Sequence, residues 1–104
     1  METNAEMASL RQRIDGIDEA LVRLLAQRQR QIAMAAEIKS RIGWPPRISA
    51  RVDEVIARVQ AAALRENLSP DLATNLWTTL VEWSIGYEQE LMGAASQERP
   101  PTSE

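Results

Sequence analysis

The stretch SLRQRIDGIDEALVRLLAQRQRQIAMAAEIKSRIG, from Ser9 to Gly43, repeats its apolar residues at alternating spacings of three and four, with no proline inside it. That period predicts a single helix whose stripe runs through Leu10, Ile14, Ile17, Leu21, Leu24, Leu25, Ile32, Ala35, Ile38 and Ile42. From Leu10 to Ile42 such a helix is about 50 Å long at roughly 1.5 Å per residue. A compact chain of this size has a radius of gyration of only about 13 Å, so the rest of the chain cannot cover it. A second copy with the same stripe can, and the expectation is an intertwined homodimeric helical bundle. A bend or break around Gln27 to Gln31, where the stripe is interrupted, is the alternative.

The remaining sequence predicts two more helices. Gly43 stands where a left-handed cap closes a helix, Lys39 and Arg41 lie in the last turn, and Pro45 and Pro46 cannot continue it. Ser49 is placed to cap a second helix running to about Asn67, with Val52, Val55, Ile56 and Val59 on its apolar face. Ser69 and Pro70 suit the cap and first position of a third, which would bury Leu72, Leu76, Leu80, Trp83, Tyr87 and Leu91 and end near Gly93. The expected organisation is therefore all-α. Residues 1–7 form a disordered N-terminus, 8–92 one helical domain, and 93–104 a disordered tail with nothing to bury.

Composition narrows the chemistry. The 104 residues include neither cysteine nor histidine, which removes disulfides, thiolate nucleophiles, the commonest neutral-pH base and the commonest metal ligand. No metal site is expected, and catalysis would fall to carboxylates, cations and polar groups that orient and stabilise charge. A net charge of −3 argues against nucleic-acid binding. No apolar run reaches the length of a membrane span and the N-terminus lacks the blocks of a signal peptide, so the chain reads as cytoplasmic.

Basic residues lie on or beside the stripe that should be buried. Stepping forward from Leu21 and Leu24 by four and three lands on Arg28. Lys39 follows eleven residues later, within roughly 20° of the same face and about 16 Å further along. The two side chains can lean together around a small organic anion. Arg11 is about 25 Å from Arg28 and turned by roughly 100°, so it can join such a site only from the other chain of an antiparallel dimer. Each cation taken singly could instead snorkel to water. Two facing cations on a stripe without an acid between them are costly to bury without a counter-anion. On the third helix Ser84 and Glu88 share a face, one turn apart, a pair that on spacing alone fits a solvated surface.

An arginine after the first leucine of the long helix (Arg11), a second in LLAQR (Arg28), a lysine in EIKSR (Lys39), the PPRISAR turn and the VEWSIGYEQ ending together resemble the all-α, AroQ-class chorismate mutases. The resemblance spans about residues 8 to 92. It implies an intertwined dimer with two sites, each lined by cations from both chains, that rearranges chorismate to prephenate with no cofactor. By position it implies that Arg11 of the partner chain, Arg28 and Arg51 hold the two substrate carboxylates. It implies too that Lys39 and Glu88 donate hydrogen bonds to the ether oxygen, and that Ser84 lies beside the ring.

Two departures bear on the substrate. Ile48 and Val52 stand where many of these enzymes carry acidic side chains that bind the ring's C4 hydroxyl, and a hydroxyl facing them would lose a partner at a cost of about 1 to 3 kcal/mol. Isochorismate pyruvate lyases and 4-amino-4-deoxychorismate mutases also have apolar character there and remain alternatives. The spacing from Lys39 to Arg51 and the glutamate at 88 favour mutase chemistry. That chemistry needs no proton transfer: the clamp enforces a chair-like conformer, and a fixed Lys39 ammonium stabilises the charge growing on the ether oxygen. A non-enzymatic helical dimer that binds an aromatic-pathway metabolite would share the fold and the cations.

Overall fold

A computed structural model of the chain describes residues 2–98, with side chains from 4 to 94. All regular structure among them is helical: α1 (Glu2–Ile42), α2 (Ser49–Arg65) and α3 (Pro70–Glu98). The expected all-α class with a very long first helix holds, and α1 carries no break at Gln27–Gln31. Among the described residues no helix is long and apolar enough to cross a membrane.

Helical structure extends beyond the expected limits at both ends. The segment assigned to a disordered N-terminus is helical from Glu2 onward. Glu, Ala and Met there are good helix formers, and nothing stops the helix at Ser9. The Ser9 hydroxyl accepts a hydrogen bond from Arg13 Nη1 at 3.0 Å, one turn on, instead of capping. α3 likewise continues through Gly93 to Glu98, and the rest of the expected tail, 99–104, lies outside the described residues.

The chain forms two compact units, Met1–Gln31 and Ile32–Glu104. The first is α1 up to Gln31. Its stripe is bare: Leu10, Ile14, Ile17, Leu21, Leu24 and Leu25 are 40% to 60% exposed.

The second unit comprises the end of α1, the 43–48 loop, α2 and α3, with α2 and α3 packed together. Its buried side chains are Ala36, Ala63, Ala73, Val81 and Ile85, joined by Ser84 and Glu88. On α3 the buried face therefore runs through Ala73, Val81, Ser84, Ile85 and Glu88. Of the expected stripe, Leu80, Tyr87 and Leu91 are half-buried, while Leu72, Leu76 and Trp83 are about half exposed. The deepest burial thus falls beside the expected stripe, on a face where Val81 and Ile85 alternate with the smaller Ala73 and Ser84.

The joints follow from a few residues. Gly43 adopts φ +77°, the left-handed region open to glycine, and the Trp44 N–H then reaches the Lys39 carbonyl at 2.9 Å. That is a Schellman closure. Asn67 does the same for α2 with φ +58°, and the Leu68 N–H reaches the Ala63 carbonyl at 2.8 Å. Ser69 caps α3 as expected, its hydroxyl accepting from the Leu72 N–H at 3.3 Å. Ser49 does not cap α2. Ile48 holds the N-cap position with extended backbone and no side-chain bond, and its carbonyl accepts from the Arg51 and Val52 N–H groups at 2.9 and 3.1 Å. The helix thus starts one residue too early for the Ser49 hydroxyl.

Candidate active site

Three elements of the second unit meet at one ammonium group. Lys39, three residues from the end of α1, donates from Nζ to Glu88 Oε1 of α3 at 2.7 Å and to the Pro46 carbonyl of the loop at 2.8 Å. The side chains are only 16% and 5% exposed. An ammonium has three donors and no acceptor, so two are committed to protein and one remains. The pairing also explains how a buried carboxylate is tolerated: burying either charge alone is strongly unfavourable, and each neutralises the other.

Ser84 lies one turn before Glu88 on the same face and is also buried, which overturns the solvated-surface reading of this pair. Its hydroxyl donates to the Leu80 carbonyl at 2.8 Å. Beside them on α3, Trp83 and Tyr87 stack with ring centroids 5.0 Å apart. The acid of a buried ion pair, a hydroxyl and two rings thus share one stretch of α3.

The head of α2 carries the other site candidates. Ile48 and Val52 are half-buried and one turn apart, while Arg51 between them is exposed. Arg51 Nη1 donates to Glu54 Oε1 at 2.5 Å, and this bond, with the attraction of the guanidinium, holds the Glu54 carboxyl below the usual carboxylate range. Arg51 already engages one carboxylate, the chemistry expected of it toward a substrate. Arg28 and Arg11 belong to the first unit, where Arg28 is half-buried and Arg11 exposed.

Sequence reasoning missed Arg47 and Glu82. Arg47 Nη1 and Nη2 donate to Glu82 Oε2 and Oε1 at 2.9 and 2.6 Å, a two-pronged bond from loop to α3. The guanidinium draws the Glu82 carboxyl below its ordinary range, and the carboxylate raises the Arg47 guanidinium further above its own. An arginine directly after Pro45-Pro46 was the available signal. Its acid lies 35 residues away, and no local period connects them.

An all-α chain with a very long first helix and a buried lysine–glutamate pair at its end defines a class of small helical proteins with a polar site built between helices. Residues 10–89 match the family model of chorismate mutase type II, and the chain belongs to that family. It is 33% identical over 86 residues to the T-protein of Enterobacter agglomerans, an alignment that covers 83% of this chain. The chain spans about a quarter of that relative, 23% of its length. It is 23% identical over 87 residues to the chorismate mutase of Methanocaldococcus jannaschii, covering 84% of this chain and 88% of the relative.

Proposed function

We propose that this domain is a chorismate mutase, an isomerase that converts chorismate to prephenate by holding a folded conformer and stabilising its charge. The observation that carries the reading is the buried Lys39 ammonium, with one donor uncommitted, inside a chain of the chorismate mutase type II family. As the carbon–oxygen bond breaks, negative charge grows on the ether oxygen. A fixed ammonium stabilises that state more than the substrate. Arg28, Arg51 and Arg11 of a second copy would hold the two carboxylates, which sets the reacting carbons together. The bare stripe of α1 supports the second copy, since apolar surface of that extent gains from being covered. The direct test presents the purified protein separately with chorismate, isochorismate and 4-amino-4-deoxychorismate and identifies the products. Conversion of chorismate to prephenate is expected; loss of none of the three would overturn the assignment.

Glu88 is tested through its amide. A carboxylate paired with Lys39 only accepts, and beside the ether oxygen it would repel the growing charge. Glu88→Gln keeps an acceptor for Lys39 and adds N–H donors, so the variant is expected to keep substantial activity, read as kcat/KM with chorismate. A folded Gln variant as inactive as one lacking Lys39 would remove Glu88 from the ether oxygen.

Ile48 and Val52 favour a second reading of the substrate alone, in which the same clamp takes the 4-amino analogue or isochorismate. Val52→Glu supplies an acceptor for a C4 hydroxyl. It is expected to improve the use of chorismate over the other two substrates by on the order of tenfold, read as the ratio of kcat/KM values. An unchanged ratio in a folded variant would mean that Val52 does not face the ring.

A further inference from the structure

The 43–48 loop reaches the Lys39 ammonium through one atom, the Pro46 carbonyl oxygen, at 2.8 Å. The loop ends are set by helix geometry: the Trp44 N–H closes α1, and the Ile48 carbonyl opens α2. Its middle has little of its own to hold it, because Pro45 and Pro46 have no N–H to donate. There the Pro46 carbonyl belongs to the same peptide unit as the Arg47 nitrogen, and peptide units are planar. Whatever fixes Arg47 therefore restricts the direction of that carbonyl. Arg47 is fixed by Glu82 through two parallel bonds of 2.9 and 2.6 Å, an arrangement that fixes orientation as well as distance. Both side chains are about half exposed. A surface pair of that kind adds little to global stability, so its value lies in what it orients.

We propose that the Arg47–Glu82 pair is a clasp on the 43–48 loop that aims the Pro46 carbonyl at Lys39 and thereby directs the remaining donor of the ammonium into the site. Arg47 and Glu82 are positioning residues for the reaction proposed above, on which this inference rests. They act through Pro46 and Lys39 and leave the carboxylate-binding arginines untouched. The expected signature is thus a fall in kcat with KM nearly constant.

The experiment compares wild type with Glu82→Gln, Arg47→Gln and the exchanged pair Arg47→Glu with Glu82→Arg. Each single variant is expected to lose about fivefold in kcat, the upper range for an exposed pair, with the thermal midpoint little changed. The exchanged pair should regain most of that loss. A second readout is independent of turnover. Lys39 is the sole lysine of the chain, so its acetylation by acetic anhydride can be followed by mass spectrometry as a single side-chain site. Release of the loop should speed that acetylation severalfold in the single variants and not in the exchanged pair. In an enzyme that turns over, either readout unmoved overturns the clasp. If the wild type converts none of the three substrates, the functional assignment fails on its own, and the acetylation rates still decide whether the pair controls Lys39.

Discussion

Replacing Lys39 with methionine is expected to lower kcat/KM by on the order of 10²–10³-fold, the loss seen when one preorganised donor to a developing oxyanion is removed. The same change is expected to destabilise the folded chain by about 3 kcal/mol, because it strands the Glu88 carboxylate, whose side chain is 5% exposed, without its counter-ion. These effects have different causes and can be separated. Adding Glu88→Gln to Lys39→Met removes the stranded charge, so most of the lost stability should return in urea unfolding. Turnover should not return, since no cation faces the ether oxygen. Recovery of both would mean that Lys39 serves the fold alone. Recovery of neither would mean that the buried pair is not the source of the instability.

The joints of this fold were legible because they depend on single residues with special backbone chemistry. Gly43, Pro45 and Pro46 announce the end of α1, and Ser69 with Pro70 announces the start of α3. The failures share another cause. Ser49 has the right side chain for a cap, yet the chain enters the helix through Ile48, a choice made by the loop path and invisible to a residue preference. On α3 the leucines and Trp83 outweigh Ala73 and Ser84 in any count of hydrophobicity. The chain nevertheless buries Ala73, Val81, Ser84, Ile85 and Glu88 most deeply, a rotation of the packed face that a count of hydrophobicity does not register.

The site was legible in part for the same reasons. Lys39 and Glu88 are separated by 49 residues, and only the family resemblance joined them before the structure placed them 2.7 Å apart. Spacing alone gave the solvated reading for Ser84 and Glu88, because a period says which residues share a face and not what that face meets. Arg47 and Glu82 went unseen because a charged pair across a loop leaves no periodic trace.

Arg11 and Arg28 yield the largest effect of all if the site is shared between chains. The two are seventeen residues apart on α1, about 25 Å along its axis, too far for one small dicarboxylate to touch both from a single helix. Arg11→Ala and Arg28→Ala are each expected to abolish most activity as pure proteins. Unfolded together in equal amounts and refolded, half of the resulting dimers pair one variant with the other. In each such heterodimer one site combines the intact Arg28 of one chain with the intact Arg11 of its partner, and the other site lacks both. Activity should therefore return to about a quarter of the wild-type value by random pairing of a two-fold dimer. Arginines that worked within one chain would leave every site of the mixture lacking one of them, and the refolded mixture would stay as inactive as its parents.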